Sequence, residues 1–424
     1  MKNFAVTGCP VSHSRSPDVF RYFFKLTGLN YNYTRLSIVS VSELLNVMEK
    51  LDIEGLNVTS PFKEDAFRIS VVKDDVSVRT RSVNTVIRKN GKIFGYNTDY
   101  HGVQSSVVSN KIHVKGKKCL ILGAGGAGRS AAAALKDLGG EVYICNRTDE
   151  RALRISREIG CRFISYSDVL QEIPDADLFV PAVTKLPDIF LPLMENIAVL
   201  DPSYKDPDLM KYCKNYTGGT DWLIYQAQRS FELFTGLKTG IDSLKDHLSG
   251  LSKIKNIAIT GPTCAGKTTF GKLIAAHFGM RFYDSDEETE NTEGKKIKDI
   301  FKIYGETHFR NAETASLERI CRENNFIVSV GAGALEKKEN RDLLSKHCFT
   351  VLLYNDAGNI LKFLKKEDVD ERPLLQCGDP ASAMQRMLEE RKQNYLNCAD
   401  LVFIIGKGSV EQECKKLIRE LDER

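Results

Sequence analysis

Short apolar runs alternate with stretches of helical period along nearly the whole chain. The runs fall at residues 4–7, 119–122, 142–145, 178–180, 198–200, 257–259, 327–330, 351–353 and 401–405. Each has the length of a strand, and segments whose apolar positions recur every three or four residues lie between them. This is the order expected of βαβ units and parallel sheets, so an α/β fold is predicted. Two of the runs lead directly into glycine-rich turns, at Gly123 and at Gly261. Such a turn normally opens its own nucleotide-binding sheet, and two nucleotide sites are therefore expected. Between them the polar stretch 247–253, with Gly250 as a helix stop, marks the main boundary.

Composition changes this picture little. The chain has 424 residues, and at roughly 150 residues per domain it should form two or three domains. Apolar residues make up 42% and charged residues 27%, an ordinary globular mixture. The 60 Lys and Arg against 56 Asp and Glu leave a net charge of +4, too small to imply a nucleic-acid or membrane partner. No apolar stretch is long enough for a membrane span, and Pro10 with polar neighbours stands where a signal peptide would be apolar; a cytoplasmic protein is expected. The 11 cysteines are scattered and never form a CxxC pair, which points to neither a disulfide framework nor a zinc site.

At the first turn Gly123, Gly125, Gly126 and Gly128 separate a strand from a helical segment at 129–138. Glycines allow the tight turn and let a pyrophosphate approach the helix N-terminus, where free N–H groups and the dipole favour it. The next strand ends in Asn146-Arg147-Thr148, where an NAD enzyme would carry an acidic residue. Arg147 there suits a 2′-phosphate, so NADP is favoured over NAD. Arg151, one helical turn on, either joins that phosphate or faces solvent.

Further motifs accompany this turn: His13-Ser14-Arg15-Ser16-Pro17, Asn57-Val58-Thr59-Ser60-Pro61-Phe62-Lys63, Val83-Asn84-Thr85, Gly95-Tyr96-Asn97-Thr98-Asp99 and Gln226-Ala227. With them, residues 1–248 resemble shikimate dehydrogenase. The resemblance implies that Ser14 and Ser16 bind the substrate carboxylate, that Thr59, Asn84, Asp99 and Gln226 meet the ring hydroxyls, and that Lys63 and Asp99 are the catalytic pair. It implies NADP(H) as cofactor, held by the glycine turn with Asn146, Arg147, Thr148 and Arg151, and 3-dehydroshikimate and shikimate as substrates. The residue types suit the reaction, because hydride transfer to a ring ketone makes an alkoxide that needs a proton, which a Lys beside a carboxylate can give. Two departures stand out. Pro181-Ala182-Val183-Thr184 replaces the family's usual Asn-Ala-Thr or Asn-Ala-Ser loop, with the loss of a backbone donor, and Phe20-Arg21 replaces its His-Asn pair.

The second turn, Gly261-Pro-Thr-Cys-Ala-Gly266-Lys267-Thr268-Thr269, matches GxxxxGK[ST] between a strand at 254–260 and a helix running to about 278. In such a P-loop the backbone N–H groups surround the phosphates of ATP, Lys267 reaches the terminal ones and Thr268 ligates Mg²⁺. Asp284-Ser-Asp286, Gly305 to Arg310 with Glu313, Gly331-Ala332-Gly333, Arg372-Pro-Leu-Leu375 and Arg391 follow. In their order and spacing, residues 254–424 resemble shikimate kinase. The resemblance implies that Asp284 joins Thr268 on Mg²⁺, Asp286 faces the acceptor hydroxyl, Arg310 and Arg391 clamp its carboxylate, and Gly331 and Gly333 contact the ring. Gly261, Gly266, Lys267, Thr268 and Thr269 would hold ATP with Arg372, which would come from a lid at 365–379. Phosphoryl transfer is mainly positioning and charge neutralisation, and an arginine fork matches a planar carboxylate. Cys264 replaces a third P-loop glycine, a change expected to be tolerated, whereas Ala332, between two glycines, is expected to resist a positive φ and loosen the substrate site.

The expected organisation is a substrate-binding domain at 1–102, completed by helices at about 221–248, a Rossmann-type NADP domain at 103–220, a linker at 249–253 and a P-loop kinase domain with a parallel sheet at 254–424. The function read from it is bifunctional: NADPH-dependent reduction of 3-dehydroshikimate to shikimate, then ATP-dependent phosphorylation of shikimate, in aromatic amino acid (chorismate) biosynthesis. Two alternatives stand beside it, one half reduced to a sensor or scaffold, and a dehydrogenase that also takes quinate. The sequence leaves the oligomeric state open.

Overall fold

The computed structural model describes residues 1–204, 207–251, 254–355 and 380–424. Contacts divide the chain into two compact units: Met1–Gly8, His13–Tyr33 and Ser40–Gly250 form one, and Cys9–Ser12, Thr34–Val39 and Leu251–Arg424 the other.

In the first unit, β1 (Lys2–Gly8), β3 (Ile53–Val58), β4 (Val72–Lys73), β5 (Thr85–Lys89) and β6 (Lys92–Tyr96) run in the order β1-β3-β5-β6-β4, while β2 (Tyr31–Ser37) is divided between the units after Tyr33. β1 and β3 are parallel, whereas β3 with β5 and β5 with β6 are antiparallel. The reason is local. Asn90 and Gly91 both take a left-handed φ, +52° and +67°, which makes the two-residue turn whose twist fits a hairpin, with Lys89 opposite Lys92.

A second sheet of six strands follows: β7 (Lys118–Leu122), β8 (Glu141–Cys145), β9 (Arg162–Phe163), β10 (Leu178–Pro181), β11 (Ala198–Leu200) and β12 (Asn215–Thr217). Its order is β12-β11-β10-β7-β8-β9 and every pair is parallel. The strand order reverses at β7, where doubly wound sheets leave a crevice at the carboxyl ends of their strands. Both faces of β7 are buried. Cys119 and Ile121 meet Ala131 to Leu135 of the helix Gly126–Asp137, while Leu120 and Leu122 face Phe179 and Phe190. That is why the sequence reads there as a continuous apolar run.

In the second unit β13 (Asn256–Thr260), β14 (Arg281–Asp284), β15 (Phe326–Ser329), β16 (Cys348–Tyr354) and β17 (Leu401–Ile404) run β14-β15-β13-β16-β17, all parallel. Central β13 leads through the second glycine turn into the helix Lys267–Phe278. The helix Ile297–Ile320 kinks at Gly305, whose φ is +81°. Among the described residues no helix is long and apolar enough to cross a membrane.

Candidate active sites

In the first unit, Lys63 opens the helix Lys63–Ile69, and Asp99 lies in the first turn of the helix Thr98–Ser109, whose N-cap Asn97 accepts from the Tyr100 amide. Their side chains meet, Lys63 Nζ donating to Asp99 Oδ2 at 2.5 Å, with only 16% and 8% of each exposed. An ammonium and a carboxylate this close and this shielded can exchange a proton with a third group. Ser14 and Ser16 face one another at 3.3 Å, and both are buried. Asn84 donates to Gln226 Oε1 at 3.2 Å and accepts from the Thr98 amide at 2.7 Å, beside Asp99. Thr59 is tied down by its backbone, its amide donating to Thr7 O at 2.8 Å. The Val83 amide donates to Lys63 O at 3.0 Å, which links the Asn84 segment to the lysine.

The glycine turn lies against this pair. A Cβ added at Gly126 would come within 2.7 Å of Lys63 Cδ. Gly123 has φ +119° and, like Gly128, lies too close to neighbouring backbone for a side chain, while a Cβ at Gly125 would meet nothing within 4 Å. The first and third glycines thus shape the turn, and the second leaves open space at the N-terminus of the helix Gly126–Asp137, as a pyrophosphate requires. Asn146 braces the turn by accepting from the Ala124 amide at 3.1 Å. Arg147 and Thr148 are exposed beside it. Arg151 donates to Glu64, next to the lysine, and Glu64 also lies 3.8 Å from the buried Arg129. Burial lowers the Arg129 pKa, against the raising effect of Glu64 and Glu158.

In the second unit, Gly266 caps the helix Lys267–Phe278 with φ +87°, and Gly261, at φ +143°, has Leu353 O where a Cβ would stand. Lys267 Nζ donates to the Gly261 and Pro262 carbonyls at 3.2 and 3.0 Å, over the phosphate cradle. Thr268 donates to Asp284 Oδ2 at 2.7 Å, while Thr269 is exposed. Two hard oxygen donors at the phosphate end of the loop fit Mg²⁺, which usually completes its shell with water and phosphate.

The acceptor side is built from close approaches. A Cβ at Gly331 would lie 2.6 Å from Asp286 Oδ1 and 2.7 Å from Glu313 Oε1, and one at Gly333 would run into the Arg310 guanidinium. Arg310 pairs with Glu313 at 2.9 Å, and Arg391 with Glu336 at 2.7 Å. Burial pushes the Glu313 carboxyl up to about 7 in spite of Arg310. Tyr395, whose hydroxyl burial pushes up to about 12, donates to Ala332 O at 2.7 Å. Arg372 and the segment 365–379 lie outside the described residues.

Family profiles match in three places: the shikimate dehydrogenase substrate binding domain at residues 6–86, shikimate / quinate 5-dehydrogenase at 106–196 and shikimate kinase at 263–422. A shikimate kinase of Nitrosococcus oceani is 35% identical over 166 residues, covering 39% of this chain and 86% of that protein. A shikimate dehydrogenase (NADP(+)) of Halobacterium salinarum is 30% identical over 260 residues, covering 58% of this chain and 97% of that protein. The chain belongs to both families. It is a fusion of a shikimate dehydrogenase and a shikimate kinase. Among solved structures, a Thermus thermophilus shikimate 5-dehydrogenase in complex with NADP(H) and shikimate is 30% identical, covers 59% of this chain and 99% of its own, and has a TM-score of 0.52.

Two expectations for the kinase half need correction. Ala332 carries no positive φ; Gly331 and Gly333 are needed for space beside Asp286 and Arg310, and the residue between them needs neither. Cys264, by contrast, takes φ +60°, a conformation that costs a side-chain-bearing residue about 1 kcal/mol or more. The change from glycine there is tolerated at a cost. Sequence reasoning gave no role to Glu64 or Glu336, or to the residues behind Asn84 and Gln226. Asn57 and Thr98 stood inside recognised motifs, and Ser230 lies one helical turn from Gln226; only proximity in the fold joins them.

Proposed function

We propose that the chain carries out two consecutive reactions, the NADPH-dependent reduction of 3-dehydroshikimate to shikimate and the ATP-dependent phosphorylation of shikimate to shikimate 3-phosphate, in aromatic amino acid (chorismate) biosynthesis. The observation that carries this reading is the shielded Lys63–Asp99 pair at 2.5 Å against the dinucleotide turn, in one chain with a P-loop whose Thr268 meets Asp284 at 2.7 Å.

In the first reaction NADPH supplies the hydride when bound. Lys63 gives the proton that the ring oxygen requires and takes another from solvent, Asp99 holds the lysine and favours its charged form, Ser14 and Ser16 bind the carboxylate, and Thr59, Asn84, Asp99 and Gln226 orient the ring. Gly123, Gly125, Gly126, Gly128, Asn146, Arg147, Thr148 and Arg151 form the cofactor side. In the second reaction Asp286 orients the acceptor hydroxyl and takes its proton, while Lys267 neutralises the migrating phosphoryl group. Thr268 and Asp284 hold Mg²⁺, Gly261, Gly266 and Thr269 complete the ATP cradle, Arg310 and Arg391 bind the carboxylate, Gly331 and Gly333 flank the ring, and Arg372 closes the site. Domain limits of 1–102 with about 221–248, 103–220, a linker at 249–253 and 254–424 go with this reading. So does a cytoplasmic location, where NADPH and ATP are supplied.

A coupled assay tests it. The full chain given 3-dehydroshikimate, NADPH, ATP and Mg²⁺ should form shikimate 3-phosphate. Omitting ATP should stop the sequence at shikimate, and omitting NADPH should stop it at the start. No NADPH oxidation would remove the first activity, and shikimate accumulating in the presence of ATP would remove the second.

A further inference from the structure

We propose that Tyr33, Asn57, Thr85 and Ser230 are positioning residues that fix Gln226 as a hydrogen-bond donor toward the dehydrogenase substrate. The inference rests on the substrate-binding role given above to Asn84 and Gln226. It starts from two backbone groups whose hydrogen-bonding sense cannot be reversed. The Thr98 amide donates to Asn84 Oδ1 at 2.7 Å, so the other end of the Asn84 carboxamide must be nitrogen; it reaches Thr98 Oγ1 at 3.0 Å and Gln226 Oε1 at 3.2 Å. An NH₂ group only donates. Gln226 must therefore turn its oxygen inward, and its own NH₂ is left to face away from the network.

The other fixed group is the Asn84 carbonyl, which accepts from Asn57 Nδ2 at 3.4 Å. It orients Asn57 with Oδ1 toward the Tyr33 hydroxyl, at 2.6 Å, and Nδ2 toward Thr85 Oγ1 and Ser230 Oγ, at 3.0 and 2.8 Å. Between the two carboxamides stand three hydroxyls, with Thr85–Thr98 at 3.1 Å, Thr85–Ser230 at 2.8 Å and Thr98–Ser230 at 3.0 Å. Thr85 and Ser230 accept from Asn57 and Thr98 accepts from Asn84; the Thr98 hydroxyl lies 3.3 Å from Gln226 Oε1 and 3.2 Å from Asn84 Oδ1, and Ser230 donates to Gln226 O at 3.0 Å. The two backbone-anchored NH₂ groups, of Asn84 and Asn57, thus both donate into the cluster, which leaves Gln226 Oε1 the place of an acceptor. All of these residues are buried, Tyr33, Thr85 and Ser230 completely, so a reversed or unmade bond is not repaired by water. Gln226 is presented as a donor, which selects a substrate oxygen acting as acceptor.

Steady-state kinetics of shikimate oxidation by the full chain test this. Ser230→Ala should raise the KM for shikimate about tenfold and Tyr33→Phe severalfold. The KM for NADP⁺ should stay within about twofold, and the shape of the pH profile of kcat should not change. Neither substitution should add to the effect of Gln226→Ala, because a positioning residue has nothing left to position. Gln226→Glu, similar in shape but unable to donate when ionised, should be as damaging as Gln226→Ala. Tyr33→Phe keeps the ring stacked on Phe20, at 4.1 Å between centroids, so it decides the matter if Ser230→Ala does not fold. An unchanged shikimate KM, equal rises in both KM values, effects that multiply with Gln226→Ala, or a Gln226→Glu enzyme of normal affinity would each overturn the proposal. If instead the unsubstituted chain fails to oxidise shikimate, the functional reading falls first.

Discussion

On the proposed reading, the two acceptor sites hold chemically similar groups by different means. Around Asn84 and Gln226 the dehydrogenase half uses neutral carboxamides and hydroxyls whose orientation is anchored on backbone groups. The kinase half uses charges, and each is already occupied by the protein: Arg310 by Glu313, Arg391 by Glu336, and Lys267 by loop carbonyls. A neutral network of fixed sense needs no rearrangement when a ligand arrives. A paired charge must change partners, and that exchange responds to pH and salt. The lesson is that preorganisation is inexpensive for a site that reads its ligand with hydroxyls and carboxamides, whereas a site that uses cations keeps them neutralised until the anion comes.

The sharpest way to break the comparison is to show that the halves are not independent. Lys63→Ala should reduce NADP-linked shikimate oxidation about 10³-fold and leave ATP consumption intact, and Asp286→Asn should do the reverse, with a loss of about 10²-fold or more. Loss of both activities from either change would refute independent sites.

Glu313 sharpens the charged side. Its folded pKa of about 7 lies above the usual 4.5, so folding takes up a proton. The resulting stability is complete below pH 4.5 and is lost as pH rises through about 7, a swing of about 3 kcal/mol. Glu313→Gln should flatten that dependence in thermal unfolding of the kinase transition from pH 5 to pH 8. Parallel curves for the two proteins would mean that the carboxylate is ionised throughout.

A smaller effect is expected at the cofactor. Arg147→Ala should raise the KM for NADPH about tenfold and leave that for shikimate nearly unchanged, since an exposed guanidinium has only the phosphate to serve. The smallest concerns the P-loop backbone: Cys264→Gly should remove the left-handed strain at φ +60° and stabilise the kinase half by up to about 1 kcal/mol, seen as a higher midpoint in denaturant.

Much of this architecture could be read from local pattern. Every predicted apolar run falls on a strand to within one residue, because a strand segment buried on both faces must be apolar throughout, as residues 119–122 of β7 are. The P-loop and the dinucleotide turn were equally legible, since their glycines answer to local backbone geometry. The antiparallel hairpin has a local signal in Asn90-Gly91, which a search for strand–helix alternation passes over. The misjudged positions, Cys264 and Ala332, turned on which glycine is needed for φ and which for space, and composition does not separate the two. What stayed hidden were partners distant in the chain, such as Glu64 with Arg151 and Asn57 with Ser230, since an unremarkable residue acquires its role only from the neighbour the fold provides.

One absence of a side chain has a practical corollary. Gly126 belongs to the cofactor turn, yet the space its missing methyl leaves is filled by the aliphatic stem of Lys63. Anyone who redesigns that loop to accept a different dinucleotide will therefore be adjusting the acid–base machinery as well, and a loss of turnover in such variants would record a displaced amine before it recorded a poorer grip on the coenzyme.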